Sequence, residues 1–151
     1  MSKRYQIFGA TPSPYTQKMI SLMRFKRIPF DVYFGDIAEL LKERTIDPPK
    51  PILLPVMLLK DESGHEVART DSTPMIRALE KEHPSRSVLP RDPALNFINY
   101  LLEDFGDEWL TKYMFHYRWH FESDADKAGT ILPLVNYQPN LPKEILQEAK
   151  Q

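Results

Sequence analysis

The chain has no cysteine, no excess of charge of either sign, and no apolar run near the ~18 residues that a membrane-crossing helix needs. Each absence removes a class of function. Without cysteine the protein forms no disulfide and runs no dithiol redox chemistry of its own, so any thiol in its chemistry belongs to a ligand. Lysine plus arginine number 20 against 21 aspartates plus glutamates, a net charge of −1, which gives no overall field to hold nucleic acid or an anionic membrane. The first residues lead into a strand-like stretch with no apolar leader, from which a cytoplasmic protein is expected. No internal repeat or low-complexity tract interrupts the chain. What is present, 42% hydrophobic and 27% charged residues over 151 positions, suits one full domain and part of another.

The chain is organised around Ile52 to Leu59, an apolar run carrying Pro55. Proline cannot donate to a β-ladder, so the run predicts a buried strand that starts at Pro55, with a cis bond from Leu54. Upstream, Tyr5 to Phe8 reads as a strand ending in the turn Gly9-Ala10-Thr11-Pro12. Ser13 and Pro14 then read as the N-cap and first residue of a helix whose inward face is Met19, Ile20, Leu22, Met23 and Phe25. Phe30 to Phe34 is a second strand, completing a β-α-β unit. Ile37 to Arg44 is a short amphipathic helix with Ile37, Leu40 and Leu41 inward, and residues 47–51 form a stiff, proline-rich connector.

Downstream, Val56 to Leu59 and Glu66 to Ala68 pair as a hairpin around Gly64. Asp71-Ser72-Thr73-Pro74 opens a helix with Met75, Ile76 and Leu79 buried, stopped by His83-Pro84. The organisation expected is a domain over residues 1–84, a linker over 85–93 and a partial helical domain over 94–151. Apolar residues from Leu95 to Tyr113 recur at helical spacing through His120, with an interruption at Gly106. A further helix is expected from Asp126 to Leu134, a loop from Asn136 to Pro142, and the start of an amphipathic helix from Lys143 to Gln151.

Two helix N-termini and a strand-starting proline make an anion cradle. The order S-P-Y-T-x-K from Ser13, L-P-V from Leu54, then D-S-T from Asp71 resembles the N-terminal domain of the cytosolic glutathione transferases, over roughly residues 4 to 90. That resemblance implies an α/β thioredoxin-like domain with a mixed four-stranded sheet, followed by an all-α domain that is here partial. It also implies glutathione as co-substrate, a small electrophile as second substrate, a homodimer, and no metal.

The family's sulfur-contacting residue corresponds to Ser13, which would act by hydrogen bonding where cysteine-bearing classes act covalently. The class that uses tyrosine carries it at the end of the first strand, where this chain has Phe8. That departure leaves Ser13 as the best donor and Thr16 as the second. Leu54, before Pro55, matches the residue whose backbone pairs with the cysteine part of glutathione, a contact that needs no particular side chain. Asp71 and Ser72 match the pair that holds the γ-glutamyl end, carboxylate to ammonium and hydroxyl with helix N–H groups to carboxylate.

Each of these residues also has an ordinary structural reading. Ser13 and Asp71 are good N-caps, and Leu54-Pro55 is a rigid turn. The alternative function is therefore a non-catalytic thioredoxin-fold module that binds glutathione or another protein. His116 and His120 have a metal-ligand spacing without a third ligand. The acidic group Glu103, Asp104, Asp107 and Glu108 reads as a solvated helix face, and the aromatics from Tyr113 to Phe121 as core and interface. The helices around Met75 to Leu79 and Leu95 to Tyr113 carry more apolar residues than so short a chain covers, from which a two-fold dimer is expected.

Overall fold

The computed structural model describes residues 4–133, so the expectations for 136–142 and 143–151 lie outside the described residues. The chain divides into two compact units, Met1–Arg86 and Ser87–Gln151.

The first unit holds a four-stranded sheet in the order β2-β1-β3-β4. Its strands are β1 (Tyr5–Gly9), β2 (Phe30–Phe34), β3 (Val56–Lys60) and β4 (Glu66–Arg69). β1 and β2 run parallel, with Tyr5 opposite Phe30 and Gly9 opposite Phe34. β3 is antiparallel to both neighbours, with Phe8 opposite Val56 and Met57 opposite Arg69.

Alternation along the strands loads both faces of the sheet. Phe8, Val56 and Leu58 point to one face, where Ile37 and Leu41 of α2 (Ile37–Lys42) cover them. Ile7, Met57 and Leu59 point to the other and are buried with Met19 and Met23 of α1 (Pro14–Lys26) and Met75 and Leu79 of α3 (Ser72–Glu82).

α1 and α3 pack side by side in a fixed register. Lys18 Nζ donates to Ser72 Oγ at 3.2 Å and Lys26 Nζ to Glu80 Oε1 at 2.6 Å, and both contacts span 54 residues. The helices therefore run in the same direction and stay in step from one contact to the next. Lys26 also donates to the carbonyls of Ser85 and Arg86, at 3.2 and 3.4 Å. The lysine side chain is fully covered, so the ion pair is a buried one.

Phe25, expected inside, is 47% exposed. The inward position at this turn belongs to Lys26, while Phe25 lies outside under the Arg86 guanidinium, 4.7 Å from its ring centroid. Ile76 is only half-buried, but Met75 and Leu79 are covered within the unit. The part of the dimer argument that rested on them falls away.

The second unit comprises α4 (Pro93–Asp104), a π-helical segment (Phe105–Leu110), α5 (Thr111–Trp119) and α6 (Glu122–Ile131). Asp92 caps α4 through Leu95 N, with Pro93 in the first turn. The interruption expected at Gly106 is a widened helical turn and not a break. α6 starts four residues earlier than its expected Asp126. None of these helices buries a residue: Phe97 is 62% and Leu102 65% exposed, and the aromatics expected as core are exposed as well, Tyr117 at 64%. Among the described residues, no helix is long and apolar enough to cross a membrane.

Candidate functional site

Strand directions decide which segments meet. β1 ends at Gly9, and its register with β3 begins at Phe8 opposite Val56, so the end of β1 and the start of β3 share one end of the sheet. β4 runs back along β3 and ends at Arg69 opposite Met57, at that same end. The turn into α1, the Leu54-Pro55 segment and the turn into α3 therefore converge. Thr70 closes the gap between two of them, donating from Oγ1 to the Leu53 carbonyl at 2.6 Å.

Ser13 caps α1 in extended conformation (φ −79°, ψ 118°), its Oγ accepting from Thr16 N at 3.2 Å. Capping consumes a lone pair, whereas donation to a sulfur would use the hydroxyl proton. The two roles are compatible on one hydroxyl, and Ser13 is partly exposed.

Thr16, the second donor on sequence grounds, is turned inward. It is 0% exposed and its Oγ1 accepts from Ala10 N at 3.3 Å. A Cβ on Gly9 would lie 2.5 Å from Thr16 Cγ2 and Oγ1, so β1 approaches α1 this closely only because residue 9 is glycine. Thr16 shapes the turn that presents Ser13.

The Leu54-Pro55 and Lys50-Pro51 bonds are both cis. Leu54 is half-buried and forms a bend two residues before β3, with the cis Pro55 between it and the strand. Asp71 caps α3, Oδ1 accepting from Thr73 N at 3.1 Å, with φ +73° and ψ 115°. That conformation is sparsely populated for a residue with a Cβ and costs about 1–3 kcal/mol, a strain that collects at ligand clamps. Ser72 follows, buried at 4% exposure and in contact with Lys18. Ser13, Leu54, Asp71 and Ser72 thus occupy one end of the sheet.

Sequence reasoning gave Lys18 no role beyond its place in the motif. The legible signal is the stripe Lys18, Leu22, Lys26 at i, i+4, i+8, two lysines on one face of a mostly apolar helix. His116 and His120 stack, with ring centroids 4.5 Å apart, and among the described residues no three metal-ligating side chains cluster.

A mixed sheet of order β2-β1-β3-β4 covered by three helices is a thioredoxin-like domain, and here a helical unit follows it. No family model matches the chain, and no curated protein does. Solved structures do. The chain is similar to a glutathione S-transferase from Rhodospirillum rubrum F11 (TM-score 0.59, 14% identity, 97% of this chain and 60% of that one). It is similar to a maleylacetoacetate isomerase from Anaeromyxobacter dehalogenans 2CP-1, with dicarboxyethyl glutathione and citrate bound (TM-score 0.55, 15% identity, 77% and 56%). A glutathione transferase family member from Pseudomonas fluorescens Pf-5, with bound glutathione, gives TM-score 0.51 at 15% identity over 97% and 64%. The chain shares the fold of these glutathione transferase structures, and it spans 56–64% of the length of the three neighbours.

Proposed function

We propose that the protein binds glutathione at the end of the sheet where α1, β3 and α3 begin, and activates its thiol for attack on a small electrophile. The observation that carries this reading is the convergence of a donor (Ser13), the bend before β3 (Leu54) and a strained acidic cap followed by a serine (Asp71, Ser72). Solved neighbours with glutathione or a glutathione conjugate bound support the ligand.

The energetics are adequate. Lowering a thiol pKa by ~2 units from ~8.5 takes about 2.7 kcal/mol of preference for thiolate. A hydrogen bond to a charged acceptor supplies about 1.5–3 kcal/mol, and a helix N-terminus about 0.3–1 kcal/mol. The Ser13 hydroxyl at the start of α1 offers both.

A cytoplasmic location and a homodimer belong to the same reading. Support for the dimer is the exposed apolar surface of α4, where Leu95, Phe97 and Leu102 are 57%, 62% and 65% exposed. Light scattering should give a dimer at about ten micromolar or above, and a monomer there would count against it.

The deciding experiment titrates the thiolate absorbance of bound glutathione against pH in the parent and in Ser13→Ala. The expected result is a parent titration about 2 units below the free thiol, moved back up by about 1–2 units in the variant, with affinity nearly unchanged. Binding with a free-thiol titration in the parent would favour the alternative, a non-catalytic glutathione-binding module. That alternative draws on one observation: all the proposed glutathione contacts lie in the first unit, whose core is complete without α4 to α6.

A further inference from the structure

His116 and His120 belong to the second unit and take no part in the glutathione reading. The turn that joins them is regular. His120 N donates to the His116 carbonyl at 2.9 Å, and His120 keeps helical angles (φ −80°, ψ −38°) at the C-cap of α5. Residues four apart on a helix lie about 5–6 Å from each other on one face. The two rings meet there, with centroids 4.5 Å and planes 23° apart, and both residues are exposed. Phe121 stands edge-on to both, at 5.0 Å from His120 and 6.1 Å from His116, and Tyr117 edge-on to His116 at 5.2 Å. We propose that His116 and His120 form a two-nitrogen site for a divalent transition-metal ion, Cu(II), Ni(II) or Zn(II). The remaining coordination positions are open to water or to a ligand from solution.

A neutral imidazole keeps one lone pair in the plane of its ring, and ring stacking does not use it. The Cβ–Cγ torsion of histidine is soft, so the exposed rings swing from a stack into a V in which both lone pairs meet one ion. The helical turn fixes their separation, and once one nitrogen has bound, the other is supplied at high effective concentration. Imidazole also selects the ion: it suits copper, nickel and zinc, whereas magnesium and calcium take oxygen ligands. Neighbouring charges do not oppose a cation. Arg118 is held against Phe115 and Met114, its Nη2 3.4 Å from the Met114 sulfur, and the first turn of α6 carries Glu122 and Asp124. Open positions set such a site apart from a closed structural one.

The test titrates the untagged full chain, free of glutathione, with Cu(II) and separately with Mg(II), by calorimetry at neutral pH with glycine as competitor. The ligand set is read from the electron paramagnetic resonance spectrum of the Cu(II) complex. The expected result is one equivalent of Cu(II) on two imidazole nitrogens and no binding of Mg(II). His116→Gln and His120→Gln should each weaken Cu(II) about 10-fold or more. His65→Gln, on the hairpin of the first unit, should leave binding unchanged. Circular dichroism checks folding, and an asparagine variant replaces any glutamine variant that does not fold. A parent that fails to bind Cu(II) overturns the proposal, as does binding unchanged in His116→Gln or His120→Gln, an equal loss in His65→Gln, or a spectrum with a single imidazole nitrogen. The proposal is independent of the glutathione reading, which none of these outcomes tests.

Discussion

Lys26 and Lys18 lie on one stripe of α1 and meet partners equally spaced on α3, yet they belong to different kinds of environment. Around Lys26 everything is closed. Its ammonium is covered, paired with Glu80 and bonded to the Ser85 and Arg86 carbonyls, while Arg86 returns a hydrogen bond to the Phe25 carbonyl. Nearby at the same end, Tyr5 Oη meets His83 Nε2 at 2.8 Å. Around Lys18 the cover is uneven: the lysine is half-buried, Ser72 is buried, and Asp71 is exposed with a strained backbone. One end of the unit covers its polar groups, and the other leaves Asp71 exposed and Ser13 partly so. The same helix pair thus serves as anchor at one end and as candidate clamp at the other.

The contrast is broken most sharply at the closed end. Lys26→Met leaves Glu80 in a covered site without its ammonium, and loss of one member of a buried pair costs about 3–5 kcal/mol. Urea unfolding followed by circular dichroism should show that loss, and a cost under about 1 kcal/mol would mean the pair is not an anchor.

Next in size is Asp71→Gly. Glycine accepts φ +73° without strain, so stability should change by less than about 1 kcal/mol as the lost cap and the relieved backbone offset each other. Glutathione affinity should fall by about 30-fold, from losing a charge-assisted contact of about 2 kcal/mol. Calorimetry reads the affinity. Binding unchanged in Asp71→Gly would reduce the residue to a cap.

Lys18→Met should leave stability within about 1 kcal/mol of the parent, since the lysine is half-buried and its charge stays partly solvated. A loss as large as that of Lys26→Met would erase the distinction between the two ends.

The smallest effect concerns pH. Burial, together with a hydrogen bond and the negative charge of Glu82, pushes the Tyr5 phenol well above its ordinary value. A raised phenol pKa means that the fold favours the neutral form, so this stabilisation is complete below the unfolded value of about 10 and fades as pH rises beyond it. Thermal unfolding from pH 8 to 11 should show the parent losing ground to Tyr5→Phe only in the upper part of that range. Parallel curves throughout would show that Tyr5 contributes nothing to alkaline sensitivity.

Local chemistry was legible in the sequence, and partnership was not. Strand alternation, the Ser13 and Asp71 caps and the proline at the head of β3 each depend on neighbours within a few residues, and each is found where the pattern places it. The contacts of Lys18 and Lys26 join residues 54 apart, which no local period reveals. Phe25 misled because apolar periodicity cannot show that a lysine with a buried acid will take the inward position. Thr16 misled for a related reason: a hydroxyl near a helix start looks available until the close approach of Gly9 shows it filled. In the second unit the helical period was clear, but periodicity does not say what covers an apolar face.

The register of α1 on α3 also constrains how such a chain can lengthen or shorten over its history. Each helical residue turns the chain by about 100° and advances it by 1.5 Å. One residue inserted into α1 between Lys18 and Lys26 would swing Lys26 away from Glu80, and one deleted from α3 between Ser72 and Glu80 would do the same from the other side. Compensation would require matching changes in two segments far apart in the chain. The hairpin turn around Gly64 and the proline-rich connector over 47–51 lie outside this lock. Length variation should collect in those two places, with the stretches 18–26 and 72–80 fixed in length.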